Sequence, residues 1–442
     1  MISLAIGKLQ SSEADWFWLI GGYQMPGLAG AAYEPGRSST ETTEDGVRLD
    51  LRGSRPEVNF VLRQLEYLAW QAEPAPAGPR HSNLYLRIGD DEGYWYSHLS
   101  GLRIETRAGH WQAGSEAALS LNVTLRRENH FDGEEQPLAL ANNSGGGVGG
   151  AQLYNHDDAA FGHDNWFLVN SGPLGLTQPA PLRLALTNKD ATPLGAVWVG
   201  GLACPTGTLA PAMSLEGESG GAGETISNAD CSAGAYARHI WSGNSWHTLG
   251  SWTVTPQELA GWNSTRLVAL ARLAQPLTEP IAFRIVVAAE GQTIWEGSPV
   301  LAEAGTGCLN TGLLQLPTGF ACGDYLNRAQ GICLQALAAG SADHVLGLDF
   351  LQLLPQDSFR QYLPVSGLPS EATLIEDSFS GQCWSVLQDQ IWQSHAGVGA
   401  GLWLPPGGET RFVVFQQNLD GLAPISRRLH VQAWYRRRKC LP

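Results

Sequence analysis

The chain has 442 residues, of which 43% are hydrophobic and 16% charged, with 53 Gly, 25 Pro and 16 Trp and a formal net charge of -15. That length exceeds what one hydrophobic core serves, so two or three domains are expected, and the composition suits many short strands joined by tight turns. The acidity argues against a nucleic-acid scaffold and against an anionic membrane surface, both of which reward clustered Lys and Arg.

The opening "MISLAIGKLQSSEADWFWLIGG" is apolar but lacks a basic start, a continuous apolar centre and a small-residue cleavage site, so no signal peptide is expected. No apolar run approaches the roughly 20 residues that a membrane-spanning helix needs. "VRLDLRG" then alternates like a strand. Ser54 with Glu57 makes a capping box, with Pro56 in the first turn. Val58, Val61, Leu62, Leu65, Leu68, Ala69 and Ala72 recur at helical spacing, which predicts one amphipathic helix over 56–72 that packs on a sheet. "NLYLRIG", "GYWYSHLSGLRIETRAG" and "ALSLNVTLRRENHF" read as successive antiparallel strands. Residues 1–132 are therefore expected to form an antiparallel β-sandwich carrying that helix.

The next stretch, "DGEEQPLALANNSGGGVGG", is acidic and then glycine-rich, which marks a boundary near residue 132. No Lys and no helix follow those glycines, so they do not read as a phosphate loop. Beyond them, "NWFLVNSG", "PLRLALTN", "GAVWVGGLA", "YARHIW", "WHTLGSWTV", "TRLVALARLA" and "AFRIVVAAEGQTIWEG" predict a jelly-roll-like sandwich over 133–303. "TGLLQLPTG", "GICLQALAAG", "VLGLDFLQLLP", "TRFVVFQQN" and "RLHVQAWYRR" predict a second sandwich over 304–442, or the outer half of one composite sandwich. The fold class is thus mainly β.

Chemistry-bearing clusters are few. "YNHDDAAFGHDNW" crowds His156, Asp157, Asp158, His163 and Asp164 together, an inventory suited to a divalent cation, although no DxDxDG order is present. The competing reading is a polar strand-entry loop. Trp241, Trp246, Trp252 and Trp262 fall close together with Asn244, His247 and Asn263, either as a carbohydrate platform or as sandwich core. "SGQCWSVL" places Cys383 beside a tryptophan, as in papain-like proteases, but only His395 and His430 follow it. The seven cysteines show no CxxC spacing; Cys322 and Cys333 could close a loop, or all could be buried thiols. No GxSxG elbow between a strand and a helix, no HExxH pair and no GxGxxG turn leading from a strand into a helix is read in the sequence, so neither catalysis nor a cofactor is expected. The tail carries Arg436, Arg437, Arg438 and Lys439, which reads either as a solvated end or as a docking patch for an acidic neighbouring subunit.

The first 133 residues resemble the N-terminal domain of phage distal tail proteins and related baseplate or minor tail components. The resemblance is carried by "VRLDLRGSRPEVNFVLRQLEYLAWQA", "NLYLRIGDDEGYWYSHLSGLRIE" and "SLNVTLRRENHFDG", with Gly53, Ser54, Glu57, Val58, Arg127, Phe131 and Gly133 on the family pattern. "LDFLQLLP" and the terminal V-x-A-W-Y-R strand resemble the jelly-roll or carbohydrate-module-like domains appended to such proteins. The resemblance implies a non-catalytic structural subunit of a phage tail or phage-like assembly, made in the host cytoplasm and ending in a virion tail or extracellular particle. Its implied partners are copies of itself in a homo-oligomeric ring, other tail or baseplate proteins, and host surface polysaccharide. The alternatives from other classes are a carbohydrate-binding surface protein and a glycan-degrading enzyme.

Overall fold

The computed structural model describes residues 3–9, 12–22, 25–36, 42–72, 84–111, 116–158, 162–204, 213–255, 266–289, 291–315, 330–340, 342–356, 358–364 and 366–440. The architecture is mainly β and antiparallel, with one α-helix among the described residues, as expected. The chain divides into two compact units, residues 1–135 with 436–442, and residues 136–435.

In the first unit, one sheet runs Phe17–Ile20, Ser3–Gly7, Tyr85–Asp90 and the start of Gly93–Trp111. The second half of that long strand changes partner at a register shift between Leu99 and Gly101. There it joins Glu116–Glu128, Thr42–Ser54 and Leu28–Glu34. Helix α1 spans Arg55–Ala72 and begins where the sequence places it. Glu57 Oε2 accepts from the Ser54 backbone N–H and hydroxyl, both at 2.8 Å, so the glutamate half of the capping box is formed. Gly53 makes this turn possible, because a Cβ there would lie 2.8 Å from that same carboxylate. Val58, Val61, Leu65, Leu68 and Ala72 are buried against Leu49, Leu51, Leu121 and Val123, so the helix roofs antiparallel strands.

The second unit contains four sheets. One carries Leu429–Lys439, Ala180–Asn188, Thr373–Asp377, Gln382–Leu387 and Gln390–His395. It shares a core with a seven-stranded sheet whose middle is Trp166–Asn170, Glu409–Asn418, Leu194–Cys204 and Ser358–Tyr362. A third sheet is centred on Ala235–Ser242, Asp343–Pro355, Arg266–Leu273 and Cys308–Gln315, and a fourth on His247–Val254, Gln330–Ala338 and Ile281–Ala289.

The burial pattern explains why some strands alternate and others do not. "QGICLQALA" at Gln330–Ala338 is buried at every second position, as a strand with one covered face must be. Leu194–Cys204, Glu409–Asn418 and Asp343–Pro355 carry long unbroken buried runs because both faces are covered. Val414 and Phe412 face the Leu182, Leu184 and Val431 side, whereas Val413 and Phe415 pack with Leu270 and Phe350, the two phenylalanine rings being 6.1 Å apart. The seven-stranded sheet is therefore shared between two sandwiches. Gly200 lets the layers meet, since a Cβ on it would fall 2.6 Å from the Pro355 carbonyl oxygen.

The expected boundary at residues 303 and 304 is corrected by this topology. Arg266–Leu273 pairs with Cys308–Gln315 across that point, in one sheet. Leu194–Cys204 and Ser358–Tyr362 pair as neighbours, so the strands between Ser214 and Pro355 form a sandwich inserted between two adjacent strands of another. Neither a serial pair of jelly rolls over 133–303 and 304–442 nor an outer half beginning at 304 describes this arrangement.

Candidate functional site

A cleft of about 760 Å³ opens in the second unit where the inserted sandwich meets its host. One wall comes from the loops around His156 and Ala423, which Asn155 ties together. Its side-chain amide donates to the carbonyls of Gln416 at 2.8 Å and Pro424 at 3.0 Å, and its backbone N–H to that of Ile425 at 3.2 Å. The opposite wall is the tight Asn228–Gly234 loop, closed by Asn228 N–H to the Gly234 carbonyl at 2.8 Å. Leu273, Ala274 and Pro276 continue it.

Arg272 joins the two walls. Its Nε donates to the Ala423 carbonyl at 2.7 Å, one Nη to the Asp230 carbonyl at 3.0 Å and the other to the buried carboxylate of Asp349. Asp349 reaches it because of a β-bulge: Arg272 pairs with Phe350 and Leu273 with Leu348, so Asp349 is the extra residue, turned to the arginine's face. The other Asp349 oxygen accepts from the Ser232 backbone N–H at 2.9 Å. A charged residue within an unbroken apolar run, as in "LDFLQLLP" and "VALARLA", was the available signal for this pair; periodicity alone passes over it.

The His/Asp cluster separates into different tasks. His156 and His163 contact each other, Nε2 to Nδ1 at 2.6 Å, and His163 stacks on Tyr154 at 3.8 Å. His156 is 2% exposed and its Nδ1 has no hydrogen-bond partner. Burial, then the neighbouring His163, pushes its pKa down to about 4, so it is neutral at pH 7. Asp158 bridges His163 through paired backbone bonds of 2.8 and 2.9 Å. Asp164 accepts from Asn143 at 2.9 Å and from the Ser144 N–H and hydroxyl at 3.0 and 2.8 Å, holding a turn. Asp157 points elsewhere, 3.5 Å from Arg411, and burial raises its pKa. Among the described residues no group of three or more His, Cys, Asp or Glu could hold a metal ion, which corrects the cation reading of this cluster.

The tryptophans are also dispersed. Trp241 and Trp252 are buried in the core of the inserted sandwich, at 7% and 6% exposure, which corrects their reading as a sugar platform. Trp246 lies under the Arg284 guanidinium at 4.2 Å, and Trp262 falls outside the described residues. Cys383 is buried with its thiol pKa raised by desolvation, and the His395 Nε2 contacts the Ser385 hydroxyl at 2.9 Å. Cys322, one half of the candidate disulfide, lies outside the described residues.

The basic tail is engaged by the first unit itself. Arg438 meets Asp132 at 2.8 and 3.0 Å, Lys439 meets Asp90 at 2.7 Å above the Trp95 ring, and Arg436 donates to the Gly133 carbonyl at 3.1 Å. Arg437 is exposed. A docking patch for another subunit built on all four residues is therefore corrected: three of the four cations are matched within the chain.

The outer face of α1 escapes a reading based on core periodicity. Phe60, Tyr67 and Trp70 are 50%, 53% and 70% exposed, and the last two rings stack at 6.0 Å. These three side chains lie on the side of α1 away from its buried residues.

No protein-family model and no curated protein matches the chain. Solved structures that match it include T=1 particles derived from infectious bursal virus, at 9% identity over 79% of each chain with a TM-score of 0.18. Infectious bursal disease virus Gt strain matches at 8% identity over 77% of this chain and 81% of that one, with a TM-score of 0.17. A VP2 subviral particle of that virus matches at 9% over 79% and 82%, with a TM-score of 0.18. TM-scores of this size do not establish a common fold.

Proposed function

We infer that the chain is a non-catalytic structural subunit of a phage tail or phage-like tail assembly, in which the first unit makes ring or tube contacts with further copies and with other tail proteins. The observation that carries this reading is the aromatic stripe of Phe60, Tyr67 and Trp70 on the outer face of α1. An exposed Trp and Phe are costly to leave in water and gain most from burial against a partner surface. The residues behind the family resemblance support it as well: Gly53, Ser54 and Glu57 set where α1 starts, and therefore which face it turns outward. The proposed location is a virion tail or extracellular particle. No described helix is long and apolar enough to cross a membrane.

Light scattering and negative-stain microscopy test the reading. The wild-type chain should form closed oligomers at high concentration. Phe60→Glu with Trp70→Glu should yield monomers with an unchanged unfolding midpoint, since both side chains are exposed. A wild-type chain that stays monomeric alone and together with tail proteins expressed with it ends the proposal.

A further inference from the structure

We propose that the stacked Tyr67 and Trp70 of one copy dock into a groove on the first unit of a second copy, between its strands Phe17–Ile20 and Leu28–Glu34. The groove, about 320 Å³, is lined by residues 18–22, Met25 and residues 28–31, with no charged side chain among the described lining. Sites of roughly 300 Å³ and above already enclose small ligands, so an aromatic side chain fits. Among the described strands each wall is paired on one side alone, Phe17–Ile20 with Ser3–Gly7 and Leu28–Glu34 with Thr42–Ser54. The lining residues run consecutively on both walls, whereas one face of a strand would contribute every second residue. The two free edges therefore face the groove.

An added strand is the usual occupant of a free edge, but here each edge is broken by a β-bulge. Leu4 pairs with Ile20 and Ala5 with Trp18, which leaves Leu19 extra; Leu28 pairs with Leu51 and Gly30 with Asp50, which leaves Ala29 extra. Bulges twist an edge and interrupt the ladder that a straight strand needs, yet they leave backbone carbonyls able to accept from a side chain. A Tyr O–H and a Trp N–H, each carried on an apolar ring, match such a lining. The chain cannot fill its own groove with them. A Cβ on Gly27, between Met25 and Leu28 of the lining, would fall 2.9 Å from the Glu57 carbonyl, so the groove lies beside the start of α1. Trp70 is near the other end of that helix, roughly 20 Å further along at about 1.5 Å per residue. Two complementary surfaces held apart on one unit make a head-to-tail contact, which closes into a ring where the rotation between copies allows. The net charge of -15 sets copies against each other, and a groove without charge is where they meet at least cost.

This inference rests on the assembly reading and names the surface that receives the α1 stripe. Light scattering and cross-linking on the full chain test it. Ala29→Trp fills the groove from an exposed position and should weaken association of the oligomer by about thirtyfold, the loss of one central aromatic contact, with an unchanged unfolding midpoint. Arg48→Trp, at an exposed position outside the groove lining, should leave association as in wild type. Ala29→Cys and Gln71→Cys chains, each also carrying Cys440→Ser to remove an exposed thiol, are mixed with a short bismaleimide. Mass spectrometry should find residue 29 of one chain joined to residue 71 of another. Oligomers that form as in wild type with Ala29→Trp, or that join residue 71 to residue 71 and never to residue 29, overturn the docking while the assembly reading stands. A wild-type chain that stays monomeric alone and with tail proteins overturns both.

Discussion

Arg127 and Asp45 form a buried ion pair in the first unit, Nε to Oδ2 at 2.6 Å and Nη to Oδ1 at 3.3 Å, with side chains 1% and 0% exposed. Asp45 also accepts from the Tyr33 hydroxyl at 2.8 Å and the Gly36 backbone N–H at 2.7 Å, and the guanidinium lies over the Phe131 ring at 4.2 Å. The spacing of Arg127 and Phe131 thus has a physical content: a strand-end arginine capped by the aromatic four residues on.

Removing one partner of such a pair strands the other charge. Arg127→Met should cost the first unit about 3–5 kcal/mol. Arg127→Lys should recover little of it, because an ammonium cannot reproduce the two-point contact. Urea unfolding monitored by tryptophan fluorescence measures both. The double change Arg127→Met with Asp45→Leu should fall closer to wild type than either single one.

Acid should weaken the second unit. His156 and His239 are buried, with pKa values pushed by desolvation from 6.5 to about 4. Between those values the unfolded chain binds more protons than the folded one. Their contribution is therefore complete above pH 6.5 and is lost as pH falls towards 4, at about 3 kcal/mol each. Glu216 opposes them, since burial raises its pKa from 4.5 to about 7 and its folded form holds a proton that the unfolded form releases. The two imidazoles outweigh this one carboxyl, so stability should fall as pH goes from 6.5 to 4.5. Urea midpoints at the two pH values check this. His239→Leu should flatten the dependence and Glu216→Gln should steepen it.

The tail contact in the first unit is separable from charge in general. Arg438→Met leaves the buried Asp132 carboxylate without its two-point partner and should cost about 2 kcal/mol. Arg437→Met, at an exposed site, should stay within about 0.5 kcal/mol of wild type. Thermal unfolding of the two variants side by side gives the comparison.

Gly200→Val tests the contact of the shared sheet with the inserted sandwich. A side chain there meets the Pro355 backbone, which cannot rotate away as a flexible side chain would. The expected cost is about 2–3 kcal/mol from overpacking. It should be accompanied by faster hydrogen exchange in Leu194–Cys204 and Asp343–Pro355. Gly221→Val, where nothing lies within reach of a Cβ, should not loosen that contact, although its positive φ adds local strain.

Local features were legible where the physics is local. The 3.6-residue apolar spacing and the Ser54–Glu57 pair gave α1 to within a residue of its start, and alternation gave the strands covered on one side, such as Gln330–Ala338. The candidate sites were not legible in the same way. Trp241 and Trp252 carry the inventory of a sugar platform, yet core and surface tryptophans look alike until the facing sheet is known. The Arg436–Lys439 run looked like a patch for another subunit because its partners, Asp132 and Asp90, lie 306 and 349 residues away in the chain.

By itself the sequence determined a mainly β protein with one early amphipathic helix, because turn residues, caps and side-chain periodicity act over a few positions. Tertiary structure alone decided that one sandwich is inserted between Leu194–Cys204 and Ser358–Tyr362, that the sheet holding those strands is buried on both faces, and that Arg272, Asp230 and His156 meet at a cleft. The reason is that antiparallel pairing satisfies backbone hydrogen bonds equally well between near and distant strands. Which partner a strand takes is settled by the packing of whole layers, and no short window of residues contains that information.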